Sequence, residues 1–168
     1  MILEDSVIHD KDILINGDSI IAIVDKNTIN YDEVRVIDGK GRYISPGFID
    51  LHIHGSKGTD VMDGSFDAIN NISKAIIETG VTAFLGTTMS MNKDSILNSL
   101  KNIRECKGSM EGAQLLGAHL EGPFINKKYK GAQDNKHIIE SDYDMIEPYF
   151  DIIKLITLAP EVEGSLDL

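Results

Sequence analysis

The residues able to do chemistry in this chain gather at two places. Asp50-Leu51-His52-Ile53-His54-Gly55 carries two imidazoles two residues apart, and His119-Leu120-Glu121-Gly122-Pro123 carries a carboxylate beside a third imidazole. Side chains of a β-strand alternate between its faces, so a strand at the first place turns Asp50, His52 and His54 the same way. Imidazole nitrogens and a carboxylate oxygen form a donor set for a divalent cation such as zinc or iron. A plainer role fits each of them as well. Two histidines in a strand can be buried side chains satisfied by the backbone, and Glu121 can serve an ion pair or a helix cap. His119 shares the face of Glu121, and it fits a support for the site, a substrate contact or a packed interior residue.

Such donors work only if rigid elements hold them. Phe48, Ile49, Leu51 and Ile53 give the stretch Gly47 to His54 the apolar and β-branched content of a buried strand. After a loop from Gly55 to Gly64, Ser65 is placed to cap a helix, with Phe66, Ile69, Ile72, Ile76 and Ile77 at helical spacing. Gly80 ends that helix, and Val81 to Thr88 reads as a second buried strand. Asn92 or Asp94 opens a second helix reaching about Lys107. Gln114 to Glu121 is a third strand. A loop rich in Gly, Lys and Asn follows, then a short helix from about Asp142 to Phe150. A fourth strand, Ile152 to Leu158, is ended by Ala159-Pro160-Glu161. Strand alternating with helix predicts parallel strands joined by right-handed crossovers. His52, His54, Thr87, Thr88, Glu121 and Glu161 then fall at or just past the carboxyl ends of the strands, where α/β folds place their chemistry.

Residues 1–45 follow a different pattern. Asp12–Asn16 and Ser19–Val24 alternate on either side of Asn16-Gly17-Asp18, a hairpin turn. Glu33–Asp38 alternates in the same way and reads as a further strand, stopped by Asp38-Gly39-Lys40-Gly41. The expected organisation is a partial β-sandwich domain over 1–45 and a strand–helix domain over 46–168. His9 and His137 stand apart from both clusters and read as solvent-exposed.

Charge and composition narrow the function further. A formal net charge of −11 over 168 residues argues against nucleic acid and against an anionic membrane surface as partners. A locally positive pocket for a phosphorylated small molecule stays compatible with it. The single cysteine, Cys106, makes no intrachain disulfide and reads as a small buried hydrophobe, which suits a reducing cytoplasm. The N-terminus has neither the basic nor the apolar region of a signal peptide, so a soluble cytoplasmic protein is expected.

Taken in order, Pro-Gly-Phe-Ile-Asp-Leu-His-Ile-His-Gly, Gly-Val-Thr-Ala-Phe-Leu-Gly-Thr-Thr, Gly-Ala-His-Leu-Glu-Gly-Pro-Phe and Thr-Leu-Ala-Pro-Glu resemble the amidohydrolase superfamily. Within it, His-Leu-Glu-Gly-Pro followed by Lys127-Lys-Tyr-Lys-Gly-Ala-Gln133 resembles the N-acetylglucosamine-6-phosphate deacetylases. The resemblance implies an α/β fold: the first half of a metal-dependent (β/α)8 barrel, preceded by part of a small β-sandwich. It implies that His52, His54 and Glu121 ligate one or two divalent metal ions, zinc or iron. Ala132 and Gln133 match a loop that contacts the sugar, where other members carry His in place of Gln. The implied reaction is hydrolysis of the acetamide of N-acetylglucosamine 6-phosphate to acetate and glucosamine 6-phosphate, by metal-activated water, with a carboxylate passing the proton to the leaving amine. The catalytic aspartate, two further metal-binding histidines and most phosphate-binding groups of that family belong to the second half of the barrel, beyond Leu168. The 168-residue chain alone is therefore expected to be inactive, and the full-length protein a homodimer. The alternatives are another amidohydrolase, a non-catalytic metal-binding half-barrel, or a flavodoxin-like open sheet that leaves both clusters unexplained.

Overall fold

The computed structural model describes residues 1–168, which form two compact units, 1–46 and 47–168. In the first, β1 (Lys11–Asn16) and β2 (Ser19–Asp25) pair antiparallel across Gly17, whose φ of 61° is a turn conformation that glycine adopts freely. The further strand expected over Glu33–Asp38 does not form. Tyr31–Glu33 is a 3-10 turn, and Val34, Val36 and Ile37 run outside any sheet with their side chains exposed. Alternation marks a segment that can join a sheet, but a strand also needs a neighbour to take its backbone hydrogen bonds, and none lies beside these residues.

The second unit contains a four-stranded parallel sheet in the order β3 (Phe48–Ile53), β6 (Val81–Thr87), β7 (Gln114–Glu121), β8 (Ile153–Thr157). Helices α1 (Phe66–Ile77) and α2 (Lys93–Cys106) form the first two crossovers. Each begins where sequence chemistry dictates: the Ser65 hydroxyl accepts from Ala68 N–H, and the Asn92 carboxamide accepts from Ser95 N–H. The third crossover is shorter in helix than expected. α3 spans Tyr143–Ile146 and passes into a 3-10 turn at Glu147–Tyr149, because Pro148 lacks an N–H and crowds the preceding turn. The loop after β3 holds two short strands unforeseen in the sequence, β4 (Gly55–Ser56) and β5 (Thr59–Asp60).

One face of the sheet is packed and the other is open. Phe84 and Leu120 are fully buried against Ile69, Ile72, Ile96, Leu100 and Ile103 of α1 and α2. Gly86 lets α2 come close, since a Cβ there would stand 3.3 Å from Ile103 Cδ1. On the opposite face Leu51, Leu85, Leu116, Lys154 and Leu155 line an open concavity of about 390 Å³. These residues come from all four strands, as in the side-chain layers that fill a (β/α)8 barrel.

The first strand departs from expectation. β3 is an edge strand rather than a buried one, and Phe48, Ile49 and Leu51 are all more than half exposed. Its only ladder is to β6, so its other side and its concave face have no cover. The pairing register also shifts twice: β6 carries an extra residue between the partners of Phe48 and Ile49, and β3 carries one between Asp50, opposite Phe84, and Ile53, opposite Gly86. A bulge of this kind breaks strict alternation and re-aims side chains.

Candidate metal centre

At the carboxyl end of the sheet three donor atoms converge. His52 Nε2 lies 3.3 Å from His54 Nε2 and 3.2 Å from Glu121 Oε2, and His54 Nε2 lies 2.9 Å from the same oxygen. His52 and His54 stand at the end of β3. Glu121 closes β7, two strands away across β6. The side chains of His52, His54 and Glu121 are 51, 33 and 21% exposed, so the group is open to solvent on one side and walled by protein on the other.

The local chemistry sharpens the picture. His54 Nδ1 is 3.2 Å from the Thr87 carbonyl oxygen, which can only accept, so Nδ1 carries a proton, and in the neutral imidazole Nε2 then turns its lone pair toward Glu121. A lone pair facing a carboxylate oxygen at 2.9 Å is repulsive unless a proton or a cation lies between them. Zinc–nitrogen bonds of about 2.0–2.1 Å at tetrahedral angles set neighbouring donors roughly 3.3 Å apart, close to the spacing observed. The backbone-bound imidazole of His54 also has the usual arrangement of a metal-ligating histidine, with its other nitrogen held by a carbonyl. These donors therefore fit a divalent cation.

Asp50 does not join the group. Its carboxylate accepts the backbone N–H of His52 at 3.0 Å instead of meeting the three donor atoms, and the pairing register shifts between it and Ile53. Glu161, another expected strand-end carboxylate, is engaged instead by Asn126 Nδ2 at 2.8 Å, and this hydrogen bond holds it below the usual carboxylate range. His137 is half-buried in a 3-10 turn, Asn135–His137, rather than exposed, while His9 is exposed.

His119 lies beneath the donor group and is 1% exposed. Burial, followed by the neighbouring His52, holds it below the ordinary histidine value. Ala132 is exposed and Gln133 half-buried, in the long loop after β7. Gln133 does not meet the three donors; its Oε1 accepts the Ser90 N–H at 2.7 Å and ties this loop to the one after β6. The role of Thr87 was not legible in the sequence beyond its place at a strand end. Its hydroxyl accepts the Ile53 N–H at 3.0 Å while its carbonyl orients His54.

Known proteins place this arrangement. Residues 43–162 match the amidohydrolase family. The chain is 42% identical over 131 residues to N-acetylglucosamine-6-phosphate deacetylase of Bacillus subtilis (strain 168), covering 73% of this chain and 33% of that protein. It is 37% identical over 146 residues to the deacetylase of the same name from Lysinibacillus sphaericus, covering 82% of this chain and 37% of that one. The crystal structure of N-acetylglucosamine-6-phosphate deacetylase from Pasteurella multocida superimposes with a TM-score of 0.88 at 27% identity, over 94% of this chain and 42% of that chain. The chain thus spans about a third of the length of the curated relatives it matches. With a four-stranded parallel half-barrel, its donors at the strand ends and a family match over most of its length, the chain belongs to the amidohydrolase family.

Proposed function

We propose that this chain is the N-terminal, metal-binding portion of a deacetylase that hydrolyses N-acetylglucosamine 6-phosphate to glucosamine 6-phosphate and acetate. The observation that carries the reading is the convergence of His52 Nε2, His54 Nε2 and Glu121 Oε2 at the carboxyl ends of parallel strands. The similarity to deacetylases of that name supports the choice of substrate. His52, His54 and Glu121 would hold one or two divalent ions, zinc or iron. Such an ion, when bound, supplies a Lewis acid that polarises an amide carbonyl and makes water acidic enough to be the nucleophile.

The chain's own residues do the rest of the work on this side of the site. The Thr87 carbonyl accepts from His54 Nδ1 and so leaves Nε2 as the nitrogen that would face an ion. Ala132 and Gln133 belong to the sugar-contacting loop, and the tie from Gln133 to Ser90 settles that loop beside the strand ends. The residue that passes the proton to the leaving amine, the remaining metal ligands and most phosphate contacts would come from the other half of the barrel in a cytoplasmic homodimer. Residues 1–45 would contribute to a small β-sandwich completed by other parts of the whole protein.

The test is acetate release from N-acetylglucosamine 6-phosphate, with zinc or iron(II) supplied, by the full-length protein and by the 168-residue chain. Activity in the full-length protein, abolished by His54→Ala and by Glu121→Ala, is the expected result, with none in the 168-residue chain. Turnover by the 168-residue chain alone, or full activity in the Glu121→Ala protein, would overturn the assignment.

A further inference from the structure

His119 is a buried imidazole for which the proposed chemistry has no use. A polar ring is costly to bury unless its nitrogens find partners. Both do: Nε2 lies 2.8 Å from Thr157 Oγ1 and Nδ1 3.3 Å from Thr87 Oγ1. A hydroxyl can donate or accept, so this pair complements either neutral tautomer. The same Thr87 hydroxyl takes the Ile53 N–H of β3. One polar layer thus ties β3, β6, β7 and β8 together. It lies directly above the leucine-lined concavity: Thr87 is two residues on from Leu85 along β6, and Thr157 two on from Leu155 along β8.

Fixed at both nitrogens, the His119 ring meets the His52 ring edge-on, with centroids 4.7 Å apart and planes at 89°. The two donor histidines are held differently. His54 is oriented by the bond from its Nδ1 to a carbonyl. His52 is half exposed, and of its ring nitrogens only Nε2 meets a hydrogen-bonding group. It lacks the second-nitrogen anchor that normally orients a ligating histidine. We infer that His119, clamped between Thr87 and Thr157, is the positioning residue for His52, its ring supplying by packing the restraint that a hydrogen bond supplies to His54. This rests on the reading of His52 as a metal ligand.

The experiment measures cobalt(II) affinity and the visible cobalt spectrum of the full-length protein, with nuclear Overhauser contacts between the His52 and His119 rings in the metal-free protein. Thr157→Val keeps the side-chain shape and removes one clamp, and His119→Ala removes the wall. Each is expected to weaken cobalt binding by about 10- to 100-fold and to alter the spectrum. His119→Phe, which keeps a ring against His52, recovers part of the affinity that His119→Ala loses. Thr157→Val also loses the contact between the His52 and His119 rings. Unchanged affinity, spectrum and ring contact in Thr157→Val would overturn the inference, and that variant decides the matter if His119→Ala does not fold. A full-length wild-type protein that binds no cobalt counts against the metal reading itself, and the metal-free ring contacts still decide what His119 does.

Discussion

Glu121 and His54 meet at 2.9 Å although their strands, β7 and β3, are not neighbours; β6 runs between them. Two strand spacings are about 9.6 Å, a gap that two long side chains on the same face close by leaning toward each other over β6. The contact places one carboxylate oxygen within reach of both imidazoles.

Removing that oxygen tests what the contact is for. Glu121→Gln keeps the shape but withdraws the charge that balances a dication. Zinc affinity, read by competition with a chromophoric chelator, is expected to fall by more than the roughly 10- to 100-fold typical for residues that only support a ligand. Equal affinity in the two proteins would mean that Glu121 is not a ligand.

The loop after β7 is held at one point that can be cut. Gln133→Ala deletes the acceptor for Ser90 N–H. Loss of about one net hydrogen bond, roughly 1 kcal/mol, predicts about fivefold faster tryptic cleavage in the Lys127–Lys130 stretch under native conditions. Cleavage at the wild-type rate would show that the tie does not restrain the loop.

Acid should undo a surface clamp before the core. Arg104 Nε donates to Asp151 Oδ2 at 3.0 Å, and the guanidinium holds the Asp151 carboxyl below its usual value. A depressed pKa stabilises the fold above the ordinary carboxylate range and stops doing so as pH falls through the folded value. Both side chains are well exposed, so the effect is small and screened by salt. Thermal melts of Asp151→Asn are expected to fall slightly below wild type at pH 7 and to converge with it in acid, once the pH has fallen below the ordinary carboxylate range. A constant offset across that range would assign the loss to something other than the ion pair.

The packed face should tolerate truncation poorly. Phe84, at the centre of β6, has no exposed surface. Phe84→Ala is expected to cost about 3–5 kcal/mol, seen in urea as a lower midpoint with an unchanged slope. A loss under 1 kcal/mol would mean that the sheet and its helices repack freely.

Most of the strand–helix alternation was legible, because each element carries its own local signal. The cap at Ser65, the helical spacing from Phe66 to Ile77 and the run from Gln114 to Glu121 all agree with the structure, and of Asn92 and Asp94 it is Asn92 that caps the second helix. Where reading failed, the missing information was a neighbour. Glu33–Asp38 has the pattern of a strand but no partner, and β3 has the composition of a buried strand but lies at an edge. The register shift between Asp50 and Ile53 depends on pairing with β6, which no local pattern encodes.

The sequence by itself determined which residue types could serve a metal and that they end strands, because spacing and apolar periodicity are local properties of the chain. It also carried the family likeness, in motifs short enough to recognise one by one. Only the tertiary structure decided that His52, His54 and Glu121 face one another, that Glu161 and Asp50 do not join them, and that His119 stands behind His52 between two threonine hydroxyls. Those relations join residues up to 69 positions apart and follow from sheet order and curvature, which emerge only when separate elements pack.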